Sequence, residues 1–402
     1  MQNVAQAWLV YRLTASPLLL GLVAFAGQAP VLLLAPLGGV VADRRSRRDV
    51  LIATQTASMI LAFALAGLTL SGIVRPWYVF SLAALLAVVN AFDIPARQAF
   101  IVEMVGAQDL ANAIALNSSM FNGARVVGPA VAGILVATFG EGWCFFINGL
   151  SFVAVIGGLT AMRLPQRPRR APAARLLTHL AEGFRFVARN APVRALMLLL
   201  GVIGLTGMPY AVLMPVFADD ILHVGARGLG VLMGSTGIGA LIGALVLATR
   251  QSVRGLGRWV AVAAGSFGIA LALFSLSRTL WLSAVLLVPV GGTVMVQMAA
   301  SNTLVQSMTP DELRGRVMAI YAMTFLGMAP LGALIAGGMA SHVGAPLTVA
   351  TGGVASFAVA CYFATRLPSL RDNARRLIMS TQLAAGDPAD EMTGTEIVED
   401  ST

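Results

Sequence analysis

Lysine is absent, and all 27 basic residues are arginine. Charge of either sign is scarce: charged residues make up 11% of the 402-residue chain, against about 25% in a soluble domain. With 57% of residues hydrophobic and a mean hydropathy of +0.82, the chain lacks the polar helix faces that a large soluble helical protein needs. Cysteine is limited to Cys144 and Cys361, both in apolar segments far apart, which excludes a disulfide framework and a thiolate metal site. The three histidines, His179, His223 and His342, are scattered and read as surface or interfacial residues. No G-x-x-x-x-G-K-[ST] phosphate loop is present, which argues against direct ATP drive. No Ser-His-Asp set or metal-ligand set can be assembled from so few charges. The expectation is a non-enzyme with no cofactor and no metal. The formal charge of +9 invites a nucleic-acid reading, but the arginines sit in short loops between apolar spans, where membrane topology explains them.

What the chain has instead is one apolar span after another, each near the roughly 20 residues that cross a bilayer. Spans are expected at residues 18–42, 50–72, 77–99, 111–139, 143–162, 191–217, 228–249, 259–276, 280–306, 314–340 and 345–365. Ahead of them, residues 1–13 are apolar and helix-like and end at Thr14-Ala15-Ser16-Pro17. Thirteen helical residues rise only about 20 Å against a hydrocarbon core of about 30 Å. A signal peptide is a poor reading, because no basic start or cleavage site is present. This segment reads as the second half of a first helix whose beginning is absent, so that the eleven full spans become twelve.

Arginine sets the orientation. One series of loops carries Arg44, Arg45, Arg47 and Arg48, then Arg97, the run between 163 and 189, Arg250, Arg254, Arg258, Arg314 and Arg316. Arg366, Arg371, Arg375 and Arg376 fall on the same side, whereas the opposite loops hold Arg12, Arg75, Arg227 and Arg278. The bias puts the first series, and the C-terminus, in the cytoplasm of a bacterial cell with the spans in its inner membrane. Residues 163–190 divide the spans six and six: a basic, Pro-rich linker, then an amphipathic stretch expected along the inner membrane surface. The expected organisation is an N-terminal bundle at 1–162, this linker, a C-terminal bundle at 191–366, and a tail at 367–402 too polar to fold alone. The halves also echo each other loosely, QDLANAI…ARVVGPAVAG against DELRGRVMAI…MAPLGALIAG, as in carriers built from parallel repeats.

The loop after the first full span reads Gly39-Val40-Val41-Ala42-Asp43-Arg44-Arg45-Ser46-Arg47-Arg48. This resembles the major facilitator superfamily signature G-x-x-x-D-R-x-G-R-R, with Ser46 where glycine is usual. AQAWLVYRLT, NAFDIPARQAF, DLANAIALNSSMFNGARVVGPAVAG and DELRGRVMAIY are similar to the branch that contains the bacterial enterobactin (siderophore) exporter. The resemblance runs from residue 1 to about 368 and implies two six-helix bundles rocking around a central cavity. It implies that Asp43, with Arg44, Arg47 and Arg48, forms a conformational gate; the usual arginine motif of the fourth helix is missing, and Arg97 is its substitute. The eleventh helix is expected to begin with a capping box at Thr309-Pro310-Asp311-Glu312. An antiporter motif of the fifth helix survives as Gly128-Pro129-x-x-x-Gly133, with Ser119 and Ala124 where glycine is expected.

Polar residues within the spans are the candidates for a substrate or proton pathway. Helical spacing places Ser118, Asn122, Arg125, Pro129 and Gly133 on one stripe. Arg125 lies deep in its span and must face the interior and find partners. Either it fixes packing through backbone carbonyls, or it meets an anionic substrate or a coupling carboxylate. Asn90, Asp93 and Arg97 share a face of the fourth helix, with Asp93 either a gate residue paired to Arg97 or a proton carrier. Thr293, Gln297 and Ser301 form a softer stripe, Gln2 and Gln6 another, and Gln28 and Gln55 stand alone. The reading reached is an all-α membrane protein of the major facilitator fold: a monomeric secondary transporter. It is expected to export a siderophore-like or lipophilic drug-like molecule by alternating access, coupled to protons and to no nucleic acid. The alternatives are a non-transporting membrane sensor or partner component, or a truncated gene product.

Overall fold

The computed structural model describes residues 1–105, 109–162, 176–249 and 255–385. No strand occurs among them. The first helix, α1 (Gln2–Thr14), is followed by α2 (Pro17–Ala26) and α3 (Ala29–Arg44), a single span broken at Gly27-Gln28. Then come α4 (Arg47–Leu70), α5 (Pro76–Val105), α6 (Leu110–Phe139) and α7 (Glu141–Ala161). Helix α8 (Leu176–Arg189) precedes the second half, which opens with α9 (Ala191–Val202) and the short α10 (Met214–Val216). Helices α11 (Gly225–Ala248), α12 (Leu256–Leu276), α13 (Leu280–Ser307), α14 (Asp311–Val343) and α15 (Ala345–Ala385) complete it.

Ten helical spans among the described residues are long and apolar enough to cross a membrane. The span expected at 111–139 is α6, within which Val127–Phe139 forms a shorter apolar helix among those residues. Local chemistry sets many of the helix ends. Ser16 accepts a hydrogen bond from the Leu19 amide just before Pro17, and Ser46 accepts one from the Asp49 amide, so hydroxyl caps start α2 and α4. Single glycines turn the chain between α6 and α7 and between α14 and α15. Gly140 and Gly344 hold φ of 83° and 86°, a region costly for any residue with a Cβ.

Large apolar side chains such as Leu33, Leu245, Val262 and Trp281 stand on the outside, while small residues line many helix contacts. That inversion suits a bilayer, where lipid is as apolar as leucine and close packing takes the place of hydrophobic expulsion. In the second half a Cβ on Gly291 of α13 would overlap the carbonyl oxygen of Thr236 on α11, and one on Gly239 would overlap that of Val288.

Three details differ from the sequence-based expectation. The span expected at 191–217 is not a regular helix. It passes through a π turn at Ile203–Gly207, a 3-10 turn at Met208–Ala211 and a second π turn at Phe217–Ile221. Gly204, Gly207, Pro209 and Pro215 explain the break, because proline lacks the amide and glycine weakens the helix. The capping box at Thr309 does not form: the Thr309 hydroxyl donates to the Val305 carbonyl at 2.6 Å and α14 starts at Asp311. The tail expected from 367 is helical as far as Ala385, where Leu370, Ala374 and Leu377 pack on the core as a helical stripe; residues 386–402 lie outside the described residues. The amphipathic helix α8 docks on the start of α14, with Gly183 against Ile320 and Arg316 and an Arg316–Glu182 ion pair.

Replacing Gly291 by alanine should lower stability by about 1–3 kcal/mol, the range for overpacking. Gly157→Ala should be neutral, because nothing lies within 4 Å of a Cβ there. Thermal unfolding of both variants in one detergent is the measurement, and a wild-type melt for Gly291→Ala would refute a required close approach.

Candidate functional site

The candidate site is the interface between the half built from α1–α7 and the half built from α9–α15. Two helix crossings join them. Helix α2 crosses α14: a Cβ on Gly21 would stand 2.5 Å from the Ala333 carbonyl oxygen and 3.2 Å from the Gly337 Cα. From the other side, a Cβ on Gly337 would stand 2.7 Å from the Pro17 oxygen and 3.0 Å from the Gly21 Cα. Helix α6 crosses α11 in the same manner, with a Cβ on Gly133 reaching to 2.5 Å from the Gly230 Cα. Backbone therefore rests on backbone at both crossings. Gly133 and Gly337 occupy the same place in the internal echo, ARVVGPAVAG against MAPLGALIAG.

A polar contact accompanies the crossings. The Tyr11 hydroxyl of α1 donates to Asp220 Oδ2 in the second π turn of the other half. Beside it, Arg12 is fixed within its own half: its Nε lies 2.7 Å from Glu141 Oε1 and its Nη2 3.1 Å from Oε2. Tyr11, Gly21, Gly133, Gly230, Gly337 and Asp220 all lie toward the arginine-poor ends of their spans. Nearer the middle, Gly327 of α14 faces the Leu32 side chain of α3.

The sequence-derived candidates fall in several places. Asp93 of α5 is buried and receives donors on both oxygens. Gln55 Nε2 lies 2.7 Å and the Thr54 hydroxyl 2.8 Å from Oδ1; Arg97 Nη2 and Nε lie 2.6 and 3.1 Å from Oδ2. This donor set ties α4 to α5 through an ion-paired carboxylate. Asn90, one helical turn before Asp93, is half-buried. Arg47 bonds the Ala99 carbonyl at 3.0 Å and lies 3.6 Å from Glu103, while Arg48 bonds the Leu159 and Thr160 carbonyls at 2.7 and 2.5 Å. Both thus tie the start of α4 to the ends of α5 and α7, within one half. Arg44 is exposed. The side chains of Asp43, Ser118, Asn122 and Arg125 lie outside the described residues. Gly128 and Pro129 are half-buried on α6, one turn from Gly133. Gln297 is fully buried; its amide nitrogen lies 3.4 Å from Ser301 Oγ, and its oxygen has no partner among the described residues. Gln2 accepts from Asn148 of α7 at 2.6 Å, a bridge between helices.

Sequence reasoning missed Tyr11, Asp220, Gly21, Gly230 and Gly337. The spacing Gly230-x-x-x-Gly234 was a usable signal, since small residues one turn apart mark close helix crossings. Nothing local links Tyr11 to Asp220, which are 209 residues apart.

A family profile described as transmembrane secretion effector matches residues 1–389. The chain is similar to the staphyloferrin A transporter of Staphylococcus aureus, at 25% identity over 89% of each chain. It is also similar to the multidrug efflux pump Tap of Mycolicibacterium fortuitum, at 28% over 85% of each. The enterobactin exporter EntS of Escherichia coli is 27% identical over 75% of this chain and 72% of its own. Among solved structures, the nucleoside transporter NupG superposes with a TM-score of 0.72 at 14% identity, covering 91% of this chain and 94% of that one. That likeness identifies the fold as the one shared by major facilitator transporters.

Asp93→Asn keeps one acceptor oxygen and puts an NH2 donor in place of the other, so that with the oxygen kept on Thr54 and Gln55 the amide donor is set against Arg97. With Arg97 half-exposed, the expected loss is about 1–3 kcal/mol of stability, partly restored by adding Arg97→Leu. An Asp93→Asn protein that melts like wild type yet has lost proton-driven activity would make Asp93 a proton carrier instead.

Proposed function

Because this chain belongs to the transmembrane secretion effector family of the major facilitator superfamily, we propose that it is a secondary active transporter exporting a small organic molecule in exchange for protons. The substrate class is siderophore-like or lipophilic and drug-like, in keeping with relatives named as enterobactin and staphyloferrin A carriers and as a multidrug pump. The moving bodies are residues 1–162 and 191–366, joined by 163–190 and working as a monomer. Arginine enrichment at one end of the bundle supports a cytoplasmic location for that end and for the C-terminus.

The observation that carries the reading is the position of the contacts between halves: glycine crossings and the Tyr11–Asp220 bond gather toward the end away from the cytoplasm. A carrier closed there and entered from the cytoplasmic side is poised to load cargo for export. Closure of the other side falls to Asp43 in the arginine loop, which braces the cytoplasmic ends of the halves when the carrier turns outward. Arg125, on α6 in the helix that makes one crossing, offers a cation to an anionic substrate or a coupling carboxylate. Asn90, Ser118, Asn122 and Gln297 supply neutral polar groups along the same pathway. Tyr11 and Asp220 form a latch that must part for the outward opening.

Purified protein in liposomes tests this. An imposed pH gradient should drive a siderophore or dye substrate uphill, and collapse of the gradient with a protonophore should stop it. Substrate that only equilibrates, with or without the gradient, would exclude proton coupling; no movement at all would favour a non-transporting membrane component.

A further inference from the structure

Away from the interface between halves, the second half holds a cavity of about 390 Å³ at its arginine-rich end. Four helices of that half enclose it: the start of α9, the start of α12, the end of α13, and α15 across the end of its apolar span. Its floor is apolar, with Leu196, Leu256, Leu304, Phe363 and Leu367 among the lining side chains. Its rim carries three exposed arginines, Arg258 from α12 and Arg371 and Arg375 from the extension of α15. No acidic side chain lines it among the described residues, and none of the three arginines has an ion pair with a described carboxylate. The first turn of α12, a helix of 21 residues, also presents its positive end there.

We propose that this cavity binds an anionic phospholipid of the surrounding bilayer, with the acidic headgroup held by Arg258, Arg371 and Arg375 and the start of an acyl chain on the apolar floor. The depth is right: Trp259, next to Arg258, and the departure of α15 from its apolar span both mark the level of the headgroups. Guanidinium forks match phosphate oxygens in pairs, and basic pockets between membrane helices at this face select acidic headgroups. A soluble phosphate would satisfy the rim and leave the floor without a partner. A zwitterionic lipid would bring its own cation against three others.

The test uses the full chain purified in a neutral detergent, mixed with phosphatidylglycerol or phosphatidylcholine of equal chain length. Melting temperature and retained lipid, counted by native mass spectrometry, are the readouts. Phosphatidylglycerol should raise the melting temperature and remain bound, and phosphatidylcholine should do neither. Arg258→Gln/Arg371→Gln/Arg375→Gln should cut retained phosphatidylglycerol at least about ten-fold, given roughly 1 kcal/mol for each basic residue near an acidic surface. Should that variant fold poorly, Arg371→Gln alone, on the exposed extension, should still lower retention. Arg45→Gln/Arg185→Gln/Arg189→Gln removes the same charge from the same end and should retain the lipid, which separates a site from general surface potential. Equal retention by the two triple variants would overturn the proposal, as would equal protection by inorganic phosphate or glycerol phosphate without a tail. So would a wild-type protein that ignores phosphatidylglycerol until residues 386–402 are deleted, because the acidic tail would then be the occupant.

Discussion

Two glycine-on-glycine contacts, Gly21 with Gly337 and Gly133 with Gly230, hold the halves of this protein together. In a bilayer no hydrophobic force drives helix against helix, so attraction between the halves depends on how closely their backbones approach. A side chain at any of these four positions would part the helices and weaken dispersion along the whole crossing. The contacts carry no hydrogen bond that must be broken and no side chain that must change rotamer. An interface of this kind can separate and re-form at low cost, which suits a joint that opens once per cycle. The Tyr11–Asp220 bond adds direction to it, since a polar pair across a mostly apolar seam fixes which surfaces meet.

The first half, by contrast, is braced internally by charge. Asp93 gathers Thr54, Gln55 and Arg97 between α4 and α5, Arg48 reaches carbonyls at the end of α7, and Arg12 clamps Glu141. A buried carboxylate with a full set of donors is strongly held in place, because removing any one donor leaves unpaired charge. A stiff first half against a smooth glycine seam suits the rigid-body rocking proposed above.

Much of this was legible in the sequence. Apolar length alone located the spans, because spanning a bilayer demands it. The echo of ARVVGPAVAG in MAPLGALIAG pointed to equivalent helices, and Gly133 and Gly337 do occupy matching crossings. The pairing of Asp93 with Arg97 followed from helical spacing, although Thr54 and Gln55 on the neighbouring helix did not. What stayed hidden depended on the third dimension. The break in the span from Ala191 to Ile221 reflects glycine and proline competing with a strongly apolar run, which hydropathy cannot see. The cavity under Arg258, Arg371 and Arg375 exists because α15 continues as a helix through residues whose polarity suggested a tail.

In the proposed cycle the halves pivot, parting at one end as they meet at the other. Spin labels on cysteines replacing Thr138 and Ser341, which end α6 and α14, report the arginine-poor end; labels at Arg45 and Arg314 report the other. With Cys144 and Cys361 replaced, pulsed electron resonance on the protein in liposomes gives both distances, with and without substrate and a pH gradient. Pivoting requires that the Thr138–Ser341 distance lengthen in the population in which the Arg45–Arg314 distance shortens. Distances that change together, or stay fixed while substrate crosses the membrane, would contradict it.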